Sequence, residues 1–346
     1  MTTRSRYRTG HDDLDARIAE LVEAAGVPGD DADLIFEMIT SAVRMGRDGA
    51  DRGDLKLVNA ALKELRYSFL VFEPYVGVPK VSIFGSARTT RDDPAYQLAH
   101  DFAQRIVGHD WMVITGAGPG IMEAGIAGAG TDRSFGVNIV LPFEQDATPL
   151  IAGDPKLIND RYFFTRKLTF MKESQAFVLL PGGFGTMDEG FELFTLMQTG
   201  RTPIVPVVLL DEPGSTYWQA WLEFVRTELG GRGLISDHDV SLVHLTQDID
   251  DAVDEICSFY STYHSMRSVG RRLVLRLRRD LSDDELAELD RDFGDILTGG
   301  GFERVVASSS EIDDGDVPDL PRIAFRFDRS SYNRLRHLID RLNGRG

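Results

Sequence analysis

The sequence predicts an α/β protein whose centre is a parallel sheet covered by helices on both faces. Three observations predict it. Five short apolar runs, at 81–84, 111–115, 135–141, 176–180 and 204–210, alternate with helical patterns near 94–107, 120–130, 164–173, 186–199 and 216–229. The runs are continuous rather than alternating in polarity, as strands buried on both faces must be. Glycine-rich loops follow several runs and open the next helix, which is the punctuation of strand–loop–helix units. In sheets of this kind ligands bind outside the carboxyl ends of the strands, so chemistry is expected just after each run.

Ahead of this core, residues 1–77 read as a helical extension. Leu14, Ile18, Leu21, Val22 and Ala25 recur at helical spacing until Gly26 and Pro28 stop the run. Ile35, Met38, Ile39, Ala42 and Met45 repeat the pattern, and Leu55, Val58, Leu62 and Leu65 give a third helix. No polar constellation stands out there, so these helices read as packing or oligomerisation elements. Behind the core, residues 265–346 read as a small α+β appendage with the order strand, helix, strand, strand, helix. Leu273, Leu275 and Leu277 alternate as in a strand, and Ser282 with Glu285 forms a capping-box pattern that opens a helix. Ile323, Phe325 and Phe327 alternate again, and Tyr332, Leu335, Leu338 and Leu342 mark a final helix. The acidic, serine-rich stretch 308–316 reads as a solvated loop. The expected domains are therefore 1–77, 78–264 and 265–346.

Composition narrows the function. A chain of 346 residues with 42% hydrophobic content can bury a sizeable core. Lys and Arg number 38 against 55 Asp and Glu, a net charge of −17. That argues against a nucleic-acid polymer or an anionic membrane as partner, since both require a basic face. A small phosphorylated ligand needs only a local nest of N–H groups or one arginine. The single cysteine, Cys257, cannot form an intramolecular disulfide and reads as a half-buried helix residue, which fits a reducing compartment. No secretory segment opens the chain and no apolar run approaches the length of a membrane span, so a cytoplasmic location is expected. None of the seven histidines has a ligand-spaced His or Cys partner, so no metal is expected.

The strongest chemical signal is Pro181-Gly182-Gly183-Phe184-Gly185-Thr186-Met187-Asp188-Glu189, which follows the run at 176–180 and opens a helix. Glycines let main-chain N–H groups approach a ligand, and a helix N-terminus adds unpaired donors and partial positive charge. Together they suit one phosphate, with Thr186 adding a hydroxyl. The loop is neither a Walker loop nor a dinucleotide fingerprint, because Lys-Ser/Thr is absent and Gly182, Gly183 and Gly185 have the wrong spacing. A second loop, Thr115-Gly116-Ala117-Gly118-Pro119-Gly120-Ile121-Met122-Glu123, begins the dinucleotide pattern, but Ile121 stands where its third glycine belongs. A nicotinamide enzyme is therefore a poor reading. Tyr162-Phe163-Phe164-Thr165-Arg166-Lys167 opens a further helix, with Arg166 placed to reach the phosphate loop. Gly85-Ser86-Ala87-Arg88 follows the first run, where Ser86 can donate to a ligand and Arg88 can supply charge. Each feature also has a plainer reading. Glycine turns can simply close a bend, and Glu123, Arg166 and Glu189 can be ordinary helix charges.

Taken together, these residues resemble the LONELY GUY family, the cytokinin riboside 5′-monophosphate phosphoribohydrolases. The loop Pro-Gly-Gly-x-Gly-Thr-x-x-Glu is matched without a gap from Pro181 to Glu189, and an upstream Arg-Lys pair is matched by Arg166-Lys167. The turns at Gly85-Ser86 and at 116–120 match as well, so the resemblance covers about residues 78–264. It implies a Rossmann-like sheet, an active unit that is at least a homodimer, and no cofactor. The implied reaction is hydrolysis of the N-glycosidic bond of a purine nucleoside 5′-monophosphate to free base and ribose 5-phosphate. Arg166 and Glu189 would be the catalytic pair. Gly182, Gly183, Gly185 and Thr186 would hold the 5′-phosphate, with Lys167, Ser86, Gly116, Gly118, Glu123 and Phe163 completing the substrate site. Phe163 stands where plant-type members usually carry Met, and Gly120-Ile121-Met122-Glu123 replaces their usual Gly-Leu-Met-Gly. The preferred base therefore stays open between a prenylated adenine and adenine itself. Nothing marks a pyridoxal-phosphate site. The alternative is a carrier of the same fold that holds a nucleotide or phosphorylated cofactor without turning it over.

Overall fold

The computed structural model describes residues 7–29, 31–141, 147–236 and 239–345. The chain divides into two compact units, residues 1–66 and 67–346. In the first unit, α1 (Asp12–Ala24) packs against α2 (Ala32–Arg47). Asp15 in α1 accepts from the Thr9 N–H at 2.9 Å and from its hydroxyl at 2.8 Å, which fixes the entry to that helix. The division between units falls inside α3 (Arg52–Phe72). None of the described helices is long and apolar enough to cross a membrane.

The second unit carries a seven-stranded parallel sheet. Its strands are β1 (Lys80–Phe84), β2 (Met112–Thr115), β3 (Ser134–Ile139), β4 (Leu157–Asp160), β5 (Ala176–Leu179), β6 (Val207–Leu210) and β7 (His244–Thr246). They lie in the order β4-β3-β2-β1-β5-β6-β7, the arrangement of a Rossmann-like fold. Val81 pairs with Val113 on one side and Ala176 on the other. Helices α4 (Pro94–Val107), α5 (Ile121–Ala129), α6 (Phe163–Glu173), α7 (Phe184–Gln198) and α8 (Tyr217–Phe224) lie between the strands in sequence, and α9 (Ile249–Ser258) follows β7. The strands feed two hydrophobic clusters by alternation. Val81, Ile83, Val113 and Val178 belong to one, while Phe84, Ile114, Phe177 and Leu179 belong to the other. Both faces are therefore apolar, which is why the sequence shows continuous runs. Local signals set the helix starts. Asp93 caps α4 ahead of Pro94, and Asp248 caps α9.

The connection order reverses between β1 and β5. Chain leaving β1 goes on to β2 on one side, and chain leaving β5 goes on to β6 on the other. Such a switch point opens a crevice at the carboxyl ends of the two central strands. The 85–88 turn and the 181–189 loop both leave from there.

Three sequence readings are corrected. The sheet has seven strands, not five, because β4 and β7 went unrecognised. Both are edge strands with polar residues (Leu-Ile-Asn-Asp and His-Leu-Thr), so neither shows an apolar run. The helical pattern near 216–229 is α8 followed by a wider π-type turn over Val225–Gly230. The acidic stretch 308–316 is not simply a solvated loop. It contains α11 (Ser309–Asp313), which follows the helix α10 (Asp283–Phe293) and the short strand β10 (Glu303–Arg304). Ser308 and Glu311 form its capping box, and the same Glu311 is buried and accepts from Arg276 at 3.0 Å.

The C-terminal part forms a second, antiparallel sheet in the order β10-β11-β9-β8, with β8 (Tyr263–Val269), β9 (Arg272–Leu277) and β11 (Arg322–Phe325), closed by α12 (Tyr332–Leu342). Its side chains Leu275, Ile323, Phe325 and Leu335 join the same hydrophobic cluster as Phe177, Leu193 and Met197. Cys257 lies half-buried in α9, where burial raises its thiol to about 11, too high for a nucleophile at neutral pH.

Candidate active site

A cleft of about 820 Å³ opens at the switch point. The end of β1 and the turn after it supply Phe84, Gly85, Ser86 and Arg88, and the start of α6 supplies Phe163 and Arg166. The loop and first turns of α7 supply Gly182, Gly183, Gly185, Thr186 and Glu189. Eight of the twelve residues expected from the sequence thus share one cavity.

The 181–189 loop is held to the sheet. Ser86 N–H donates to the Pro181 carbonyl at 3.1 Å, and Leu180 N–H donates to the Phe84 carbonyl at 2.8 Å. Gly182 must be glycine because a Cβ there would lie 2.1 Å from Thr186 Oγ1 and 3.1 Å from Ser86 N. A Cβ at Gly183 or Gly185 would touch no protein atom, so both leave main chain bare toward the cleft. Gly183 caps α7, whose first N–H groups have no partner within the helix. An anion seated there meets unpaired donors and the positive end of a helix.

Glu189 lies one turn further along α7 and is only 4% exposed. Its Oε1 accepts from Arg166 Nη1 at 3.2 Å. Its Oε2 is buried with no hydrogen-bond partner among the described residues. Burial pushes its carboxyl above the ordinary range, against the opposing pull of Arg166 and Lys167. Arg166 is held from two further sides. Its Nε donates to the Val137 carbonyl at 2.9 Å, and its guanidinium stacks over Phe170 at 5.1 Å. Burial lowers its pKa while Glu189 and Asp160 raise it, and a guanidinium remains charged at any working pH.

Four expected residues do not line the cleft. Gly116 lies behind Arg166, where a Cβ would meet Arg166 Nη2 at 2.4 Å and Met122 Sδ at 2.6 Å. A Cβ at Gly118 would meet Met122 Cε at 2.7 Å. Glu123 is turned to the scaffold, accepting from Arg91 Nε at 2.8 Å and Thr148 Oγ1 at 3.3 Å. Lys167 bridges α6 to α7 through Asp188 at 2.8 Å and Glu192 at 2.6 Å. It therefore braces the two helices that carry Arg166 and Glu189.

Sequence reasoning missed three contributors. Met122 lines the cleft. The Tyr217 hydroxyl donates to the Gly182 carbonyl and pins the loop from α8, 35 positions away in sequence. The Val137 carbonyl aims Arg166. A main-chain acceptor and a distant tyrosine leave no local pattern, so no motif could have shown them.

Comparison with known proteins fits this geometry. Residues 120–256 match a family described as "Possible lysine decarboxylase". Over 130 residues the chain is 32% identical to a probable cytokinin riboside 5′-monophosphate phosphoribohydrolase of Oryza sativa subsp. japonica, covering 37% of this chain and 55% of that relative. Over 151 residues it is 28% identical to the cytokinin riboside 5′-monophosphate phosphoribohydrolase of Mycobacterium tuberculosis (strain ATCC 25618 / H37Rv), covering 41% of this chain and 76% of that relative. The matched residues are similar to the LONELY GUY (LOG) family. The matched part spans little more than half the length of the rice relative. Among solved structures, the molybdenum cofactor binding protein from Rippkaea orientalis aligns with a TM-score of 0.38 at 16% identity, covering 52% of this chain and 95% of that one. The cleft has no lysine in its described lining, so it offers no partner for the aldehyde of a pyridoxal cofactor.

Proposed function

We propose that this protein is a nucleoside 5′-monophosphate phosphoribohydrolase, acting on the N-glycosidic bond of a purine nucleotide. The observation that carries this reading is the unpartnered Glu189 Oε2, buried in the cleft beside Arg166 and one helical turn from a bare glycine loop. The three parts match the three needs of the reaction.

The phosphate sits against Gly183, Gly185 and Thr186 at the start of α7. Binding energy gained there orients the ribose without touching the reacting bond. The C1′–N bond then breaks with its electron pair passing to the purine nitrogen, leaving oxocarbenium character at C1′. The Glu189 carboxylate stabilises that cation and accepts a proton from the water that attacks C1′. Arg166 holds the nucleotide and steadies the negative charge on the departing base, which takes up the proton that Glu189 removed from the water and leaves as the neutral purine. The products are free base and ribose 5-phosphate. Adenine and a prenylated adenine both remain candidate bases, with Phe163 and Met122 forming the apolar side of the cleft. We propose further that the protein works in the cytoplasm as at least a homodimer. The half-exposed Phe163, Phe164 and Leu168 on α6 support an apolar face available for pairing.

The test is a panel of nucleotides assayed for released base. AMP and a prenylated AMP are expected to yield base, and adenosine is expected to react at least about a hundredfold more slowly. Tight AMP binding with no base released would instead identify a nucleotide carrier.

A further inference from the structure

A second cavity, of about 360 Å³, lies at the far end of the catalytic helix α7, against the antiparallel sheet. Its wall carries Arg201, Arg271, Arg272 and Arg329, together with Tyr332 and Ser268, and no acidic residue among the described residues. Four arginines lining one cavity stand out in a chain with a net charge of −17. Self-repulsion makes such clustering unfavourable without an anionic occupant. Arg272 is balanced by Glu303 at 2.9 Å, outside the cavity wall. Arg201, Arg271 and Arg329 make no ion pair among the described residues and are exposed. The nearby Asp328 is turned inward, where it accepts from the Ser330 and Ser331 N–H groups and the Ser331 hydroxyl.

The cavity is also built rather than incidental. Arg329 adopts a φ of +63°, a left-handed backbone that an arginine adopts only under constraint, and donates to the Gly270 carbonyl at 3.3 Å. Gly200, at φ +65°, ends α7 under the Tyr332 ring, where any Cβ would lie 1.8 Å from the tyrosine hydroxyl. Phe327 packs edge-on to Tyr332 at 5.1 Å and backs the wall. Arg201 complements the carbonyl end of α7, and Arg271 and Arg329 line the cavity from the hairpin and from the loop before α12.

We propose that this cavity is a second ligand site that binds a compact oligophosphate. Planar guanidinium forks match phosphate oxygens in pairs, and several converging forks suit several linked phosphates better than one. The volume falls within the range of small-molecule sites. The site is separate from the cleft: α7 begins in one and ends in the other, and its 15 residues span roughly 20 Å. It does not depend on the hydrolase reading.

The experiment is calorimetric titration of the full chain with sodium tripolyphosphate as probe. Three proteins are compared: wild type, the double variant Arg271→Ala/Arg329→Ala, and the cleft variant Thr186→Ala. Wild type and Thr186→Ala are expected to bind alike, and the double arginine variant at least about tenfold more weakly. The two arginines are exposed, so an unchanged melting temperature is expected alongside. Citrate, a tricarboxylate of similar charge, is expected to bind at least about tenfold more weakly than the probe. The proposal is overturned by no binding to wild type, by binding that survives the arginine changes, or by binding lost in Thr186→Ala instead. Equal binding of citrate overturns the assignment to phosphate.

Discussion

Two glycine-rich loops leave neighbouring regions of one sheet, and Gly183 and Gly185 of one differ from Gly116 and Gly120 of the other in what an added Cβ would meet. In the 181–189 loop, an added Cβ at Gly183 or Gly185 would meet empty space at the cleft wall. In the 116–120 loop, an added Cβ at Gly116 would meet Arg166 at 2.4 Å, and one at Gly120 would meet the Ser86 carbonyl at 2.3 Å. At Gly183 and Gly185 the first loop leaves its backbone open at the cleft wall. The second is bare so that the protein can approach itself. Its product is the position of Arg166, which no residue of that loop contacts as a hydrogen-bond partner. A glycine motif thus marks close approach, and only the surroundings tell what approaches.

This contrast can be broken by single methyl groups. Gly116→Ala should have the largest effect. The methyl must displace the Arg166 guanidinium or the Met122 sulfur, so base release is expected to fall about a hundredfold. Overpacking should also cost about 1–3 kcal/mol, read as a lower melting temperature. Gly185→Ala should act the other way on stability. It fills no occupied space and adds helix propensity worth up to about 1 kcal/mol, so melting is expected to rise slightly. The same methyl crowds the phosphate, so KM for AMP is expected to rise about tenfold with kcat little changed. If the two variants behave alike in both readouts, the distinction between the loops fails.

The smallest effect concerns pH. The Glu189 carboxyl titrates above its ordinary 4.5 because it is buried. Catalysis that needs the carboxylate should therefore fall off with acid along a limb higher than an exposed glutamate would give. The sign for stability is the reverse of a normal salt-bridged acid. A raised folded pKa means the ionised form weakens the fold once the pH passes the unfolded value, so Glu189 detracts from stability at neutral pH and not at pH below about 4. A pH–rate profile of kcat/KM with AMP measures the first, and thermal melts across the same range measure the second.

Much of this was legible in the sequence, for identifiable reasons. The central strands are buried on both faces, and that burial wrote continuous apolar runs. The edge strands β4 and β7 have one free side and carry Asn, Asp, His and Thr, so they left no such trace. The 181–189 loop was legible because turn geometry and the start of a helix both demand particular residues within nine positions. Arg166 was legible only through its neighbourhood in the motif, and its aim depends on Gly116 and on the Val137 carbonyl, far away in the chain. Lys167 and Glu123 stood in the right segments, yet their charges are satisfied by Asp188, Glu192 and Arg91. Which partner a charge finds is decided by tertiary packing. The buried role of Glu311 escaped for the same reason, since an acidic serine-rich stretch reads as solvated until Arg276 is brought against it.

The central claim is that Glu189 acts on the sugar while the glycine loop holds the phosphate. Glu189→Gln keeps the shape and removes only the charge. With AMP as substrate, release of adenine is expected to drop by about a thousandfold or more, while the affinity for AMP stays within a few fold. Wild-type release of adenine from the glutamine variant would contradict the account.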